Sequence, residues 1–233
     1  MNQNDTMEKK YLIFKEIIAA VVHDMKNPLS AITLGLEFIQ MVGGEGKVPP
    51  QAVSGALTSA ARMDQLLDAL SMYFHDEADD ATAIDLSHII AKAQLLVSYY
   101  MARSQIKFKL EAGENERAVL ANLSQTFQAM VMLLVAMARR AASGTVINAA
   151  VSSDSRSRIL TIEVTGNGSD TMWKEHDING AQPDLGSACV ELATQLLERN
   201  GFALESPPDW IRPERIVIRK TVEGQPGNNG ARQ

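Results

Sequence analysis

The chain has 233 residues, with 22 basic against 28 acidic side chains and a formal net charge of -6, enough length for one large domain or two small ones. No basic face is apparent, which argues against a nucleic-acid partner. The single cysteine, Cys189, excludes an intrachain disulfide and fits a reducing cytosol.

The N-terminus from Met1 to Lys10 is polar and charged, unlike a signal peptide, and no apolar run is long enough to span a membrane. The expectation is a soluble, cytoplasmic protein with no room for a sensor ahead of its first helix. From about Met7 to Val42 apolar residues recur at helical spacing: Phe14, Ile17, Ile18, Val21, Val22, Met25, Leu29, Ile32, Leu36 and Ile39. Met25 falls on the core side of that helix. His23, two residues earlier and about 200° around it, points outward with Asp24 and Asn27 beside it. Pro28 interrupts the helical hydrogen bonding one turn further on.

Glycines and prolines from Gly43 to Pro50 break this helix, and helical periodicity resumes from Val53 to Tyr73. Two long helices around a short breaker predict an antiparallel hairpin. One hairpin covers little of its own apolar surface. A four-helix bundle made by two copies, a homodimer, is therefore expected over packing of the hairpin on its own C-terminal domain. The acidic run from His75 to Asp80 predicts a solvated linker rather than a metal site.

Beyond it, Ile84 to Val97 predicts a helix capped by Asp85 or Ser87. Ile106 to Leu110 alternates as a strand, and Glu111 to Asn115 is a turn cluster. An apolar helix follows from about Ser124 to Ala142, with Met130, Met132 and Met137 as adaptable core. Val146–Val151 and Arg158–Thr165 predict a hairpin, and Gly166 to Pro183 is polar and glycine-containing. A helix from Gly186 to Arg199 should stop at Asn200-Gly201. Strands at Phe202–Glu205 and Arg215–Lys220 close the fold, and Val222 to Gln233 has a disordered composition. His75, His88 and His176 share no ligand spacing, so no metal site is implied. Trp173 and Trp210 are expected to serve packing. The division is thus an all-α hairpin over 7–76, an α+β sandwich over 82–221 and a tail over 222–233.

The segment His23-Asp24-Met25-Lys26-Asn27-Pro28-Leu29 resembles the phospho-acceptor box of two-component histidine kinases: His, an acidic residue, two variable residues, Asn or Thr, Pro and Leu. The order of elements after it is similar to the histidine-kinase ATP-binding fold. The resemblance covers about Met7 to Lys220, sharp in the hairpin and architectural beyond it. It implies a phospho-acceptor His23 assisted by Asp24, Lys26 and Asn27. It also implies receiver domains of response regulators as partners, with an upstream hybrid kinase as one further candidate.

The second domain departs from that family's pattern. The best register puts Ala136 where active members carry the asparagine that holds Mg²⁺, and an alanine methyl offers no oxygen donor. Gly166 stands in place of the aspartate that recognises adenine, within Thr165-Gly166-Asn167-Gly168-Ser169-Asp170. The second glycine box is reduced to Gly186 behind Asp184, the wrong sign for a phosphate cradle. The reading favoured by these departures is a histidine phosphotransferase, relaying a phosphoryl group between receiver aspartates through His23 without binding ATP. It needs no cofactor of its own, the receiver bringing Mg²⁺. In that reading Asp24 can accept from Nδ1–H and leave Nε2 as the nucleophile. The alternatives are a cytosolic histidine kinase with divergent ATP boxes, a receiver phosphatase using Asn27 to orient water, and a non-catalytic regulator that docks a receiver.

Overall fold

A computed structural model of the chain describes residues 3–43, 50–75, 80–113, 118–154, 157–165, 185–205 and 215–221. The side chains of residues 3–6 and 43 are not among those described. Most of the acidic linker, the segment bearing Gly166, Asn167, Asp170, Trp173, His176 and Asp184, as well as Trp210 and the tail, lie outside them.

Helices α1 (Gln3–Gly43) and α2 (Pro50–Phe74) form the hairpin. They approach closely at Gly35, where a Cβ would meet the Ala56 Cβ at 3.3 Å. Helix α1 continues through Pro28, which is buried. Proline has no backbone N–H, so the carbonyl of Asp24, four residues earlier, loses its intrahelical donor there. The apolar stripe predicted for α1 is split in the structure. Ile13, Ile17 and Val21 are buried, whereas Phe14, Val22, Leu29 and Leu36 are exposed. One chain supplies partner surface for only one side of a stripe this wide. Every exposed large hydrophobic among the described residues except Leu120 lies on α1 or α2.

The second unit runs β1 (Thr82–Ile84), α3 (Leu86–Arg103), β2 (Lys107–Ala112), β3 (Val119–Ala121), α4 (Leu123–Arg140), β4 (Val146–Ser153), β5 (Ser157–Thr165), α5 (Leu185–Arg199), β6 (Phe202–Glu205) and β7 (Arg215–Thr221). The main sheet has the order β2-β4-β5-β7-β6, parallel only between β2 and β4. Alternate residues of its central strands are buried, among them Ile147, Ala149, Leu160, Ile162, Ile216 and Ile218. Helices α3, α4 and α5 supply the rest of one continuous core with them, the predicted mixed sheet under three helices. Strands β1 and β3 pair antiparallel in a separate two-stranded sheet. Each has three residues, too few for a period-two pattern to register, and Ile84, which the sequence pattern joins to the following helix, ends β1 instead.

Local rules set the ends of these helices. Asp85 caps α3 by accepting from the backbone N–H groups of Ser87 and His88. Partial burial opposes ionisation of Asp85, but the Ser87 hydroxyl and the two backbone donors outweigh it and hold the carboxyl below its ordinary range. Asn122 caps α4 by accepting from the Gln125 N–H at 2.8 Å. Gly201, at φ +69°, follows the end of α5 in the left-handed region.

The hairpin packs on its own second unit, the arrangement the sequence ranked behind a homodimeric bundle, and it leaves other apolar residues of α1 and α2 exposed. Ile13, Ile17, Val21, Ala69 and Tyr73 join the core of the second unit. Three such aliphatic side chains, each worth about 1.5–3 kcal/mol when fully buried, outweigh an exposed ion pair at about 0–1 kcal/mol. The end of α2 is also bonded to α4. The Gln128 amide donates to the carbonyl of Tyr73 at 2.8 Å, and the Ser124 hydroxyl faces the carbonyls of Met72 and His75. These are helix-terminal acceptors that lack an intrahelical donor.

Candidate functional site

His23 lies on α1 with its side chain 55% exposed, as its offset from Met25 predicts. Two helix faces meet beside it, because α3 of the second unit lies along α1. The Tyr99 ring packs against the imidazole with centroids 4.4 Å apart and planes inclined by 49°. Its neighbour Ser98 donates from Oγ to Asp24 Oδ2 at 2.6 Å. The same hydroxyl also lies 2.7 Å from the carbonyl of Leu95. One proton cannot fully serve both, and the carboxylate is the stronger acceptor.

This arrangement changes the role expected of Asp24. Its Oδ1 is 3.7 Å from His23 Nδ1, beyond hydrogen-bonding distance. The carboxylate is instead committed to Ser98, and the contact with the imidazole is electrostatic. It still lies on the Nδ1 side, leaving Nε2 as the nitrogen further from the carboxylate.

Two turns before His23 the two units are tied again. Tyr100 directs its hydroxyl at the carbonyl and at Oε2 of Glu16, each at 3.0 Å. Burial, reinforced by the Glu16 carboxylate, pushes the Tyr100 phenol far above its ordinary range, so it remains a neutral donor. Arg139 of α4 lies 3.4 Å from the same carboxylate, and Lys9 pairs with Glu191 of α5 at 2.9 Å.

Between these ties opens a cleft of about 580 Å³ whose lining includes Glu16, His23, Lys26, Tyr99, Arg103 and Arg139. Of the residues singled out in the sequence, His23 and Lys26 line it, and Asp24 stands at its edge bonded to Ser98. Asn27 is exposed and is not part of the lining. The contributions of Ser98, Tyr99, Arg103 and Arg139 escaped the sequence reading. The adjacent tyrosines at the polar end of an amphipathic helix were the one available signal for them.

Ala136 and Gly186, which the resemblance assigns to nucleotide positions, are both among the described residues. Ala136 is buried at 2% exposure, and every side chain from Ala129 to Ala138 on α4 is apolar and buried. Gly186 lies in the first turn of α5, and a Cβ there would come within 2.9 Å of Arg140 Nε. The buried Arg140 guanidinium reaches across to donate to Ser187 Oγ at 2.9 Å. Glycine at 186 therefore makes room for an arginine side chain. Among the described residues no group of three or more His, Cys, Asp or Glu could hold a metal ion. Nor is any helix among them long and apolar enough to cross a membrane.

Residues 15–78 match the family model of the His Kinase A (phospho-acceptor) domain. That segment is a histidine-kinase-type phospho-acceptor domain. In this chain the matched segment is followed by a mixed α/β unit. No curated protein matches it. Solved structures that resemble it include the Acinetobacter baumannii histidine kinase AdeS, at 14% identity and a TM-score of 0.45, covering 86% of this chain and 96% of that one. The mycobacterial sensor histidine kinase MprB resembles it at 18% identity and a TM-score of 0.44, covering 60% of this chain and 97% of that one. A structure described as a bacterial phosphotransferase is similar at 17% identity and a TM-score of 0.41, covering 94% of this chain and 97% of that one.

The bond from Ser98 to Asp24 should be measurable as a coupling between the two units. A double-mutant cycle with Ser98→Ala and Asp24→Ala, followed by urea unfolding, should give a coupling of about 1–2 kcal/mol, the range for a partly exposed hydrogen bond to a charged group. A coupling indistinguishable from zero would mean that the contact contributes nothing in solution.

Proposed function

We propose that this chain is a histidine phosphotransferase. It accepts a phosphoryl group on His23 from the aspartyl phosphate of one receiver domain and donates it to the aspartate of another. The observation that carries this reading is the contrast between the two units. A complete acceptor box is presented on an exposed helix face, while α4 offers no side-chain oxygen for a cation anywhere from Ala129 to Ala138.

The transfer needs little from the chain besides position. In the forward step the His23 nitrogen attacks phosphorus, the bond to the carboxylate oxygen breaks, and the receiver aspartate leaves as carboxylate. The Nδ1 proton stays on the imidazole during attack at Nε2, and the Asp24 carboxylate 3.7 Å away stabilises the positive charge that develops there. The reverse step runs through the same geometry. Lys26 offers a cation to the incoming oxygens, and the receiver supplies Mg²⁺ and its own acidic cluster. His23→Gln should abolish uptake of label from a phosphorylated receiver while leaving circular dichroism and receiver docking unchanged, since the side chain is exposed. Normal uptake by His23→Gln protein, or none by wild type from a cognate receiver, would sink the relay.

A second reading, an autophosphorylating kinase, is favoured by the kinase-family match over residues 15–78. Mg-ATP separates the two. A ligand at about 100 times its Kd adds about 2.7 kcal/mol to the stability of the folded state. The relay predicts no change in melting temperature at millimolar Mg-ATP; a clear rise, with label appearing on His23, would establish the kinase instead.

The relay also works as a dimer. The hairpin exposes Leu29, Leu34, Leu36, Phe38, Leu57 and Leu67, enough apolar surface to drive pairing of two hairpins into a four-helix bundle. Light scattering should give twice the 25.4 kDa chain mass at micromolar concentration, and a monomer would count against the bundle.

A further inference from the structure

The cleft beside His23 carries a charge opposite to that of the chain. Lys26, Arg103 and Arg139 line it against the single carboxylate of Glu16, although the whole chain has a net charge of -6. Arg139 is already engaged, at 3.4 Å from Glu16. Lys26 and Arg103 are exposed and form no ion pair or hydrogen bond among the described residues. Cations gathered around one cleft repel one another, and an anion placed between them relieves that repulsion. The cleft also lies at the C-terminal end of α3, whose partial negative charge disfavours an anion. Arg103, in the last turn of that helix, offsets it.

We infer that Arg103 and Lys26 form a binding site for the phosphoryl group carried by His23, so that a residue of the second unit holds the phosphohistidine. This rests on the reading that His23 is the phosphoryl carrier. Tyr99 is the geometric link. Its ring lies on the imidazole, and Arg103 follows it by four residues on the same face of α3. The imidazole is thereby seated against the helix that brings Arg103 into the cleft. A guanidinium presents parallel donors that match two phosphoryl oxygens, and Lys26, one turn beyond His23 on α1, adds a point charge. Arg103 can thus serve the phosphoryl group without any nucleotide in the second unit.

Phosphoramidate tests the site without a receiver and without ATP. Its P–N bond breaks as Nε2 of His23 bonds to phosphorus, and the nitrogen, already protonated in the phosphoramidate zwitterion, leaves as ammonia while the Nδ1 proton stays on the imidazole. The full-length protein and its Arg103→Ala, Arg103→Lys and Arg62→Ala variants would be loaded with phosphoramidate, and phosphohistidine followed by ³¹P NMR. Arg62 is an exposed cation of α2 outside the cleft lining and controls for net charge. Arg103→Ala should load about tenfold more slowly than wild type, equivalent to about 1.4 kcal/mol, with Arg103→Lys between them and Arg62→Ala unchanged. Wild-type rates in Arg103→Ala, equal slowing in Arg62→Ala, or no loading of His23 in wild type would each overturn the site. Offering the same proteins a phosphorylated receiver keeps the two readings apart. Failure of wild type to take label from the receiver, with Arg103-dependent loading from phosphoramidate intact, would remove the relay and leave the site.

Discussion

The packing of α3 along α1 is the contact on which the rest of the site depends. Ile13, Ile17 and Val21 carry it by burying aliphatic surface against the second unit, a non-directional attraction that holds the helices together without fixing their register. Register comes from polar contacts spaced along the seam: Tyr100 to Glu16 and Ser98 to Asp24. With that register set, Tyr99 meets the His23 ring and the cationic cleft closes around it. If α3 slid by one turn, the same residues would remain buried in number but the acceptor would lose its neighbours.

Helix α4 has a different task. Its side chains are buried almost all round, so it acts as the central rod of the second unit and joins the hairpin through Ser124 and Gln128. An apolar helix surface of this kind contributes to stability through dispersion and burial, but it has no oxygen to offer a hard cation. The first turn of α5 is similarly given over to structure, with Arg140 laid over Gly186 and bonded to Ser187. In the proposed relay these are the consequences of freedom from nucleotide: positions that would serve a triphosphate are available for packing, and the domain's contribution to chemistry moves to the face of α3 that touches His23.

The apolar surface of the hairpin is divided between two duties. Part of α1 is covered by the second unit, while Leu29, Leu34 and Leu36 are exposed together with Leu57 and Leu67 of α2. His23 lies near the boundary between them, next to exposed Val22 and close to buried Val21. A single acceptor helix can therefore contact its own second unit on one side while keeping a separate apolar side for another copy of the hairpin.

Much of this was legible in the chain alone. The periods of two and 3.6, the breaker from Gly43 to Pro50 and the stop at Asn200-Gly201 are local signals, and they placed the five helices and the main strands of the described residues because short-range sterics and burial patterns act within a few residues. The offset of His23 from Met25 likewise placed its side chain outside the core, since neighbours on one helix turn share a fixed geometry. The three-residue strands β1 and β3 were not legible, because pairing between Ile84 and Val119 joins segments with no periodicity of their own. Nor was the docking of the units: whether Asp24 would bond His23 or Ser98 is decided by a residue 74 positions away, and no local pattern encodes that choice. The sequence determined that His23 faces outward from α1; tertiary packing, through the register of α3 on α1, decided what stands beside it.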